Sequence, residues 1–238
     1  MGNIKEKLKE AITPFYTEMW NNCVSVSREI GGYIPQWGKN YPENKLEGLM
    51  FVGKAPNLRL SKNQWKEKGL EVLNSIGREN LSWLDTEKCS RSAYMRVFSK
   101  ICQDLHKDRS EKWYSYVAIS NLYKIVNLNA NFPTAKILDA QRNLARKIFV
   151  EELKVLSPKF VVMFSSGMEK EGFLYDFQND GNHTHHIHTE TWGKNHKAKV
   201  FLIHNTIIIT SLHPERKNEA EHVKIIVKLL KEFGYGDL

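Results

Sequence analysis

His213 stands where an α/β sheet would expose an imidazole. The β-branched run Thr206 to Ile209 leads into Thr210-Ser211-Leu212-His213-Pro214. Such a run reads as a buried strand, and the proline fixes its own backbone and pushes His213 out of helical geometry. An imidazole so held lies at a strand end, where open α/β sheets bind their ligands; a structural histidine closing the strand has the same pattern. Two other apolar runs end on groups with chemistry. Gly53-Lys54-Ala55-Pro56-Asn57 follows Leu49 to Val52. Its glycine admits close backbone approach and its proline stiffens the loop, so that amides can point into a pocket. A plain strand-to-helix turn has the same composition. Asn121-Leu122-Tyr123-Lys124 follows Tyr116 to Ile119. A side-chain amide presents a donor and an acceptor together, as reading a base edge requires, and it also closes Asx turns.

A fourth cluster, His183-Thr184-His185-His186-Ile187-His188, is dense in imidazoles, the commonest transition-metal ligands. On a regular strand His186 and His188 share one face, and His183 and His185 the other. His183, His185 and His188 match the H-x-H-x-D-H signature of metallo-β-lactamases, but Ile187 replaces the aspartate. We therefore read an exposed polar hairpin and assign no metal, with a histidine-site metalloenzyme as the alternative.

Four continuous apolar runs must position these groups: Leu49 to Val52, Tyr116 to Ile119, Phe160 to Phe164 and Thr206 to Thr210. Continuity rather than alternation implies burial on both faces, hence parallel strands covered by helices. Helical stripes separate them. Ser61 and Gln64 form a capping box before Leu70, Leu73 and Ile76. Tyr94, Val97, Phe98, Ile101 and Leu105 form a second stripe. Thr134 caps a third, carrying Ile137, Leu144, Ile148, Leu153 and Leu156, and Asn218 with Glu221 opens the last, carrying Val223, Ile226, Val227, Leu230 and Phe233. The alternation predicts one domain over 1–238, a three-layer α/β/α fold with a central four-stranded parallel sheet. Residues 1–47 read as an N-terminal helical arm whose first helix (Ile4, Leu8, Ala11, Ile12) ends at Pro14. Residues 172–205 read as a histidine-rich β insertion, with Ala198 to Ile203 antiparallel to the fourth strand across His204-Asn205.

The bulk properties narrow the partners. Of 238 residues 41% are apolar, enough for a sizeable core, yet no run reaches the length of a membrane span. Cys23, Cys89 and Cys102 are odd in number and lack a C-x-x-C pair, which argues against a disulfide framework, a zinc ribbon or an iron–sulfur cluster. A cytoplasmic monomer is the expectation, with no targeting segment and no membrane contact. The net charge of +8 suits a polyanion partner as well as ordinary solubility.

Taken in order, Val52-Gly53-Lys54-Ala55-Pro56-Asn57, Ile119-Ser120-Asn121-Leu122-Tyr123-Lys124, Ser157-Pro158-Lys159-Phe160-Val161-Val162 and Ser211-Leu212-His213-Pro214 resemble the four core strands of the uracil-DNA glycosylase superfamily. The resemblance brackets residues 49–214 and leaves out the arm and the histidine-rich insertion. It implies a DNA glycosylase without cofactor, hydrolysing the N-glycosidic bond of a flipped uracil or modified pyrimidine in single- or double-stranded DNA. Asn121 would read the pairing edge of the flipped base. His213 would hydrogen-bond the base carbonyl oxygen where negative charge develops, and a neutral imidazole suffices for that. Gly53, Lys54, Ala55 and Pro56 would line the sugar side. Lys54 departs from branches that place a carboxylate or amide there to orient water; Asn57 is the nearest amide that can do so, and a Lys54 of depressed pKa is a second option. Trp65 has the spacing of a base-stacking aromatic in some relatives, or is a core residue of the Ser61 helix. Glu215-Arg216-Lys217 follows the histidine motif where the family inserts into the minor groove. Arg216 and Lys217 would contact phosphates, or Arg216 would replace the usual wedge; Lys124 and Ser211 are further candidate DNA contacts. A catalytically silent DNA-binding protein of the same fold is the alternative within the family.

Overall fold

The computed structural model of the chain describes residues 4–41, 48–56, 69–78, 81–85, 91–107, 111–128, 132–165 and 184–236. In chain order its elements are α1 (Ile4–Val26), β1 (Ile30–Gly32), β2 (Gln36–Trp37), β3 (Leu49–Gly53), β4 (Gly77–Arg78), α2 (Ala93–Leu105), β5 (Val117–Asn121), β6 (Ile125–Asn127), α3 (Ala135–Leu156), β7 (Phe160–Phe164), β8 (Thr184–Trp192), β9 (His196–Ile203), β10 (Thr206–Ser211) and α4 (Glu219–Glu232), with 3-10 turns at Gly69–Ser75, Leu81–Asp85 and Trp113–Tyr116. They form two compact units: residues 1–36, 53–78 and 119–157, and residues 37–52, 79–118 and 158–238.

The first unit rests on α1 packed along α3. α1 buries Leu8, Ile12, Tyr16, Met19 and Cys23, a three-and-four spacing that lines one face. The sequence predicts that this helix ends at Pro14; instead it runs through Pro14 to Val26. An interior proline costs about 3 kcal/mol through a lost hydrogen bond and a crowded carbonyl. Beyond it the helix buries Tyr16, Met19 and Cys23, and this offsets the cost at about 1.5–3 kcal/mol for each large apolar side chain. α3 buries Ile137, Leu144, Ala145, Ile148, Phe149 and Leu156, together with Gln141 and Glu152 on the same face. It ends at Ser157, whose left-handed φ of 45° and N–H bond to the Leu153 carbonyl close the helix before Pro158. Thr134 holds the N-cap position without a side-chain cap bond; its own N–H donates to Asn127 Oδ1 at 3.1 Å. β1 and β6 form an antiparallel ribbon, Ile30 opposite Asn127 and Gly32 opposite Ile125. Where Leu70, Leu73 and Ile76 suggest an α-helix, Gly69–Ser75 is a 3-10 turn; the Ser61 and Gln64 capping box lies outside the described residues.

The eight strands of the sheet follow the order β4-β2-β5-β3-β7-β10-β9-β8, and β7 to β10 lie wholly in the second unit. β3 and β7 are parallel, Leu49 opposite Phe160 and Val52 opposite Met163. β7 and β10 are parallel too, Phe160 opposite Ile207 and Phe164 opposite Ser211. The sheet is therefore mixed and wider than the four-stranded parallel sheet expected. The expected antiparallel pairing of β9 with β10 is present, Ile203 opposite Thr206. His204 takes a left-handed φ of 52°, as tight hairpin turns demand, so the hairpin extends the sheet rather than standing apart from it. β10 is buried along its whole length, which explains its unbroken apolar run. α2 and α4 pack together and are clamped by Arg96, which donates to both Glu219 oxygens at 2.6 and 3.0 Å. Asn218 caps α4 as expected: Oδ1 accepts the Glu221 N–H at 3.3 Å, and Nδ2 donates to Glu221 Oε1 at 2.9 Å. The fold is α/β. No helix among the described residues is long and apolar enough to cross a membrane.

Candidate functional site

In the first unit the loops after β3 and β5 are zipped together by their backbones. The Leu122 N–H donates to the Gly53 carbonyl at 2.9 Å, and the Tyr123 N–H to the Lys54 carbonyl at 3.0 Å. Gly53 and Pro56 are buried, and Lys54, Ala55 and Asn121 half-buried. The Lys54 ammonium sits 4.3 Å from the centroid of the Phe132 ring, which also meets the Tyr123 ring edge-on at 6.3 Å. A cation over an aromatic face is held there electrostatically.

Behind this pair of loops lies a polar cluster. Lys124 and Glu152 are wholly buried, with Nζ 2.6 Å from Oε1. Lys124 Nζ also donates to Ser120 Oγ at 2.7 Å and to the Asn121 carbonyl, while Ser120 Oγ donates to Glu152 Oε2 at 2.8 Å. Gln141 completes it: Oε1 accepts the N–H groups of Lys124 and Ile125 at 3.0 and 2.9 Å, and Nε2 donates to the Ile125 carbonyl at 2.6 Å. Burial holds the Lys124 ammonium below its ordinary pKa and the Glu152 carboxyl above its own, with the mutual attraction opposing both shifts. Lys124 is thus committed to Glu152 and is not offered to a phosphate, the role the sequence suggested for it. A buried ammonium without a carboxylate beside it would be far costlier than this pair.

The second unit holds the histidine motif. The β10 strand delivers His213 half-buried, its ring stacked on Tyr94 at 6.2 Å and 20°. The Glu215 N–H donates to His213 Nδ1 at 3.3 Å. An Nδ1 that accepts leaves the ring proton of the neutral form on Nε2, which is then a donor. Burial lowers the His213 pKa, Glu215 opposes this and Lys217 adds to it, so the neutral form is favoured. Tyr94 lies edge-on to Phe164 at 5.5 Å, and burial raises its phenol pKa. Ser211 is buried and shares a 2.9 Å hydrogen bond with His222 Nε2. His222 stacks on Trp192 at 4.3 Å and 17° and meets the Phe164 ring edge-on at 5.0 Å. Its Nδ1 is buried without a hydrogen-bond partner among the described residues. Burial, helped by His196, His213 and Lys217, pushes its pKa down to about 4. Pro214 to Lys217 form a turn closed by the Lys217 N–H on the Pro214 carbonyl at 3.0 Å. Arg216 projects from it, exposed, with a left-handed φ of 59° that side chains larger than glycine rarely adopt. Lys217 is half-buried, its Nζ 3.5 Å from the Glu215 carbonyl.

The histidine hairpin corrects one sequence expectation. His186 and His188 do not share a face: His186 pairs with Phe201 and His188 with Val200, adjacent residues of β9, because a bulge lies between them. His186 meets the Phe201 ring at 5.3 Å and shares a 2.8 Å bond with Thr189 Oγ1. His188 turns the other way, 3.1 Å from Glu190 Oε2 and 6.1 Å from the Phe233 ring beyond α4, where Lys228 also reaches Glu190 at 3.2 Å. Among the described residues no three His, Cys, Asp or Glu side chains are grouped to hold a metal ion.

The structure brings Gly53, Lys54, Asn121 and Lys124 together in one unit and Ser211, His213, Arg216 and Lys217 together in the other. Asn57, Trp65 and His183 lie outside the described residues. Sequence reasoning missed Gln141, Glu152, Trp192 and His222, and gave Ser120 and Tyr94 no role at the site. For Gln141 and Glu152 a signal existed, since both fall on the apolar stripe of α3, at i+4 from Ile137 and Ile148. No family model and no curated protein matches the chain.

Proposed function

We propose that the protein is a DNA glycosylase with a uracil-DNA glycosylase-like fold, releasing uracil or a modified pyrimidine by hydrolysis. The observation that carries this reading is the state of His213: a ring kept neutral by burial, its Nδ1 occupied by the Glu215 N–H, leaving Nε2–H as a fixed donor after β10. The parallel β3-β7-β10 arrangement and the strand-end loops carrying Gly53 and Asn121 also support it. In this reading Asn121 has the role of reading the pairing edge of the base, and His213 that of meeting its carbonyl oxygen. As the bond from base nitrogen to sugar C1′ breaks, its electron pair leaves with the base and negative charge spreads to that oxygen. His213 Nε2–H stabilises it without surrendering its proton. Water adds to C1′, and the proton it loses passes through solvent to the departed base, which is released neutral; Gly53 to Pro56 line the sugar side. Arg216, on its strained turn, and Lys217 contact the DNA backbone.

The test is detection by mass spectrometry of free bases released from a pool of DNA carrying damaged and modified bases. Wild type is expected to release at least one pyrimidine, and His213→Ala to do so about 10²–10³-fold more slowly, the usual loss for one such donor, with its melting behaviour little changed. Absence of free base from the whole pool removes the reading. Lys54 supports a second one: its cation is engaged on Phe132 at the position where relatives orient water, as in a protein that binds DNA and leaves it intact. That protein would bind DNA in a salt-dependent way with no base released.

A further inference from the structure

The buried charges of the first unit have no role in the chemistry described above, and a buried ion pair is weak evidence for stability, since apolar side chains of similar volume often replace one without loss. What apolar side chains cannot do is hold a backbone carbonyl. The Lys124 ammonium is ion-paired with Glu152 Oε1 and donates to two acceptors, Ser120 Oγ and the carbonyl of Asn121. The peptide that follows Asn121 is held from the other side as well, because the next two N–H groups donate to the carbonyls of Gly53 and Lys54. Gln141 then fixes the backbone at Lys124 and Ile125. Gln141 and Glu152 are three turns apart on one face of α3, so a single rigid helix supplies both ends of the clamp.

We infer that Lys124 and Glu152 are positioning residues: by anchoring the Asn121 carbonyl they set the direction in which the Asn121 amide leaves the strand, and so the selectivity for the base it reads. This rests on the glycosylase reading for the identity of the ligand. The geometry of the clamp itself does not depend on it.

The decisive variant is the double replacement Lys124→Met with Glu152→Leu, which leaves no charge unpaired. Base release and DNA binding are measured for it, for wild type and for Asn121→Ala, with cognate and non-cognate pyrimidines. The expected result is a folded protein whose kcat for the cognate base falls at least tenfold, whose DNA affinity stays within about twofold, and whose preference between bases narrows as in Asn121→Ala. Placed in the Asn121→Ala background, the double replacement should narrow it no further. A folded double variant with wild-type rate and preference overturns the inference. Should the double variant fail to fold, Ser120→Ala, which removes one support and keeps the pair, is judged by the same preference ratio, and an unchanged ratio overturns it. If wild type releases no base, the glycosylase reading fails by itself. Amide hydrogen exchange at Leu122 and Tyr123 then decides on the clamp: at least tenfold faster in the folded variant upholds it, and unchanged rates overturn it.

Discussion

His222 is a base that the fold keeps uncharged. Its ring lies between Trp192 and Phe164, and its buried Nδ1 has no acceptor among the described residues for a second proton. The unfolded chain takes up that proton near pH 6.5 and the folded one only near pH 4. Its contribution is therefore fully present above pH 6.5 and is lost as the pH falls from 6.5 to 4, by at most about 3 kcal/mol. Urea unfolding at pH 7.5, 5.5 and 4.5 should show a decline that His222→Phe makes shallower; equal slopes in the two proteins would remove this account. The sequence shows such a residue only halfway. A histidine or glutamate on an apolar stripe is visible in the α3 and α4 patterns. Its partner is not: Lys124 and Glu152 meet because a strand end and a helix pack together, and no spacing rule links residues so far apart in the chain.

At the scale of elements, legibility follows length. The runs at 49–52, 116–119, 160–164 and 206–210 reappear as β3, β5, β7 and β10 with ends moved by two residues at most, because each has an unbroken apolar centre. β1, β2, β4 and β6 have two or three residues each, too few for any period to register. Pro14 misled for a physical reason: local propensity sets a cost, and the buried face of α1 beyond it outweighs that cost. Capping was half legible. Asn218 makes its bonds to Glu221, whereas Thr134 occupies the cap without bonding. Asn218→Ala should therefore destabilise by about 1 kcal/mol, lowering the thermal midpoint by about 2–4 °C. Asn218→Asp should melt close to wild type, and an equal loss in both would show that the cap bond is not the cause.

At the scale of the whole molecule the sequence reveals charge but not its partition. The excess of eight positive charges is plain, yet each compact unit is assembled from three separated stretches, a division that only long-range packing defines. If the charge serves a polyanion, DNA affinity must fall steeply with salt: on the order of 10³-fold between 50 and 200 mM for about six phosphate contacts. Arg216→Ala should make the log–log slope shallower by about one without altering base preference. A salt-independent affinity measured by titration would exclude the polyanion role.

The bulge in β8 has a consequence for how copies of the chain meet in a crowded solution. β8 is the last strand of its sheet, and a long regular border strand exposes evenly spaced N–H and C=O groups that any passing strand can copy. The extra residue at Ile187 breaks that spacing partway along its nine residues. A second β8 would lose register at that point, so the sheet is a poor seed for its own extension into fibres.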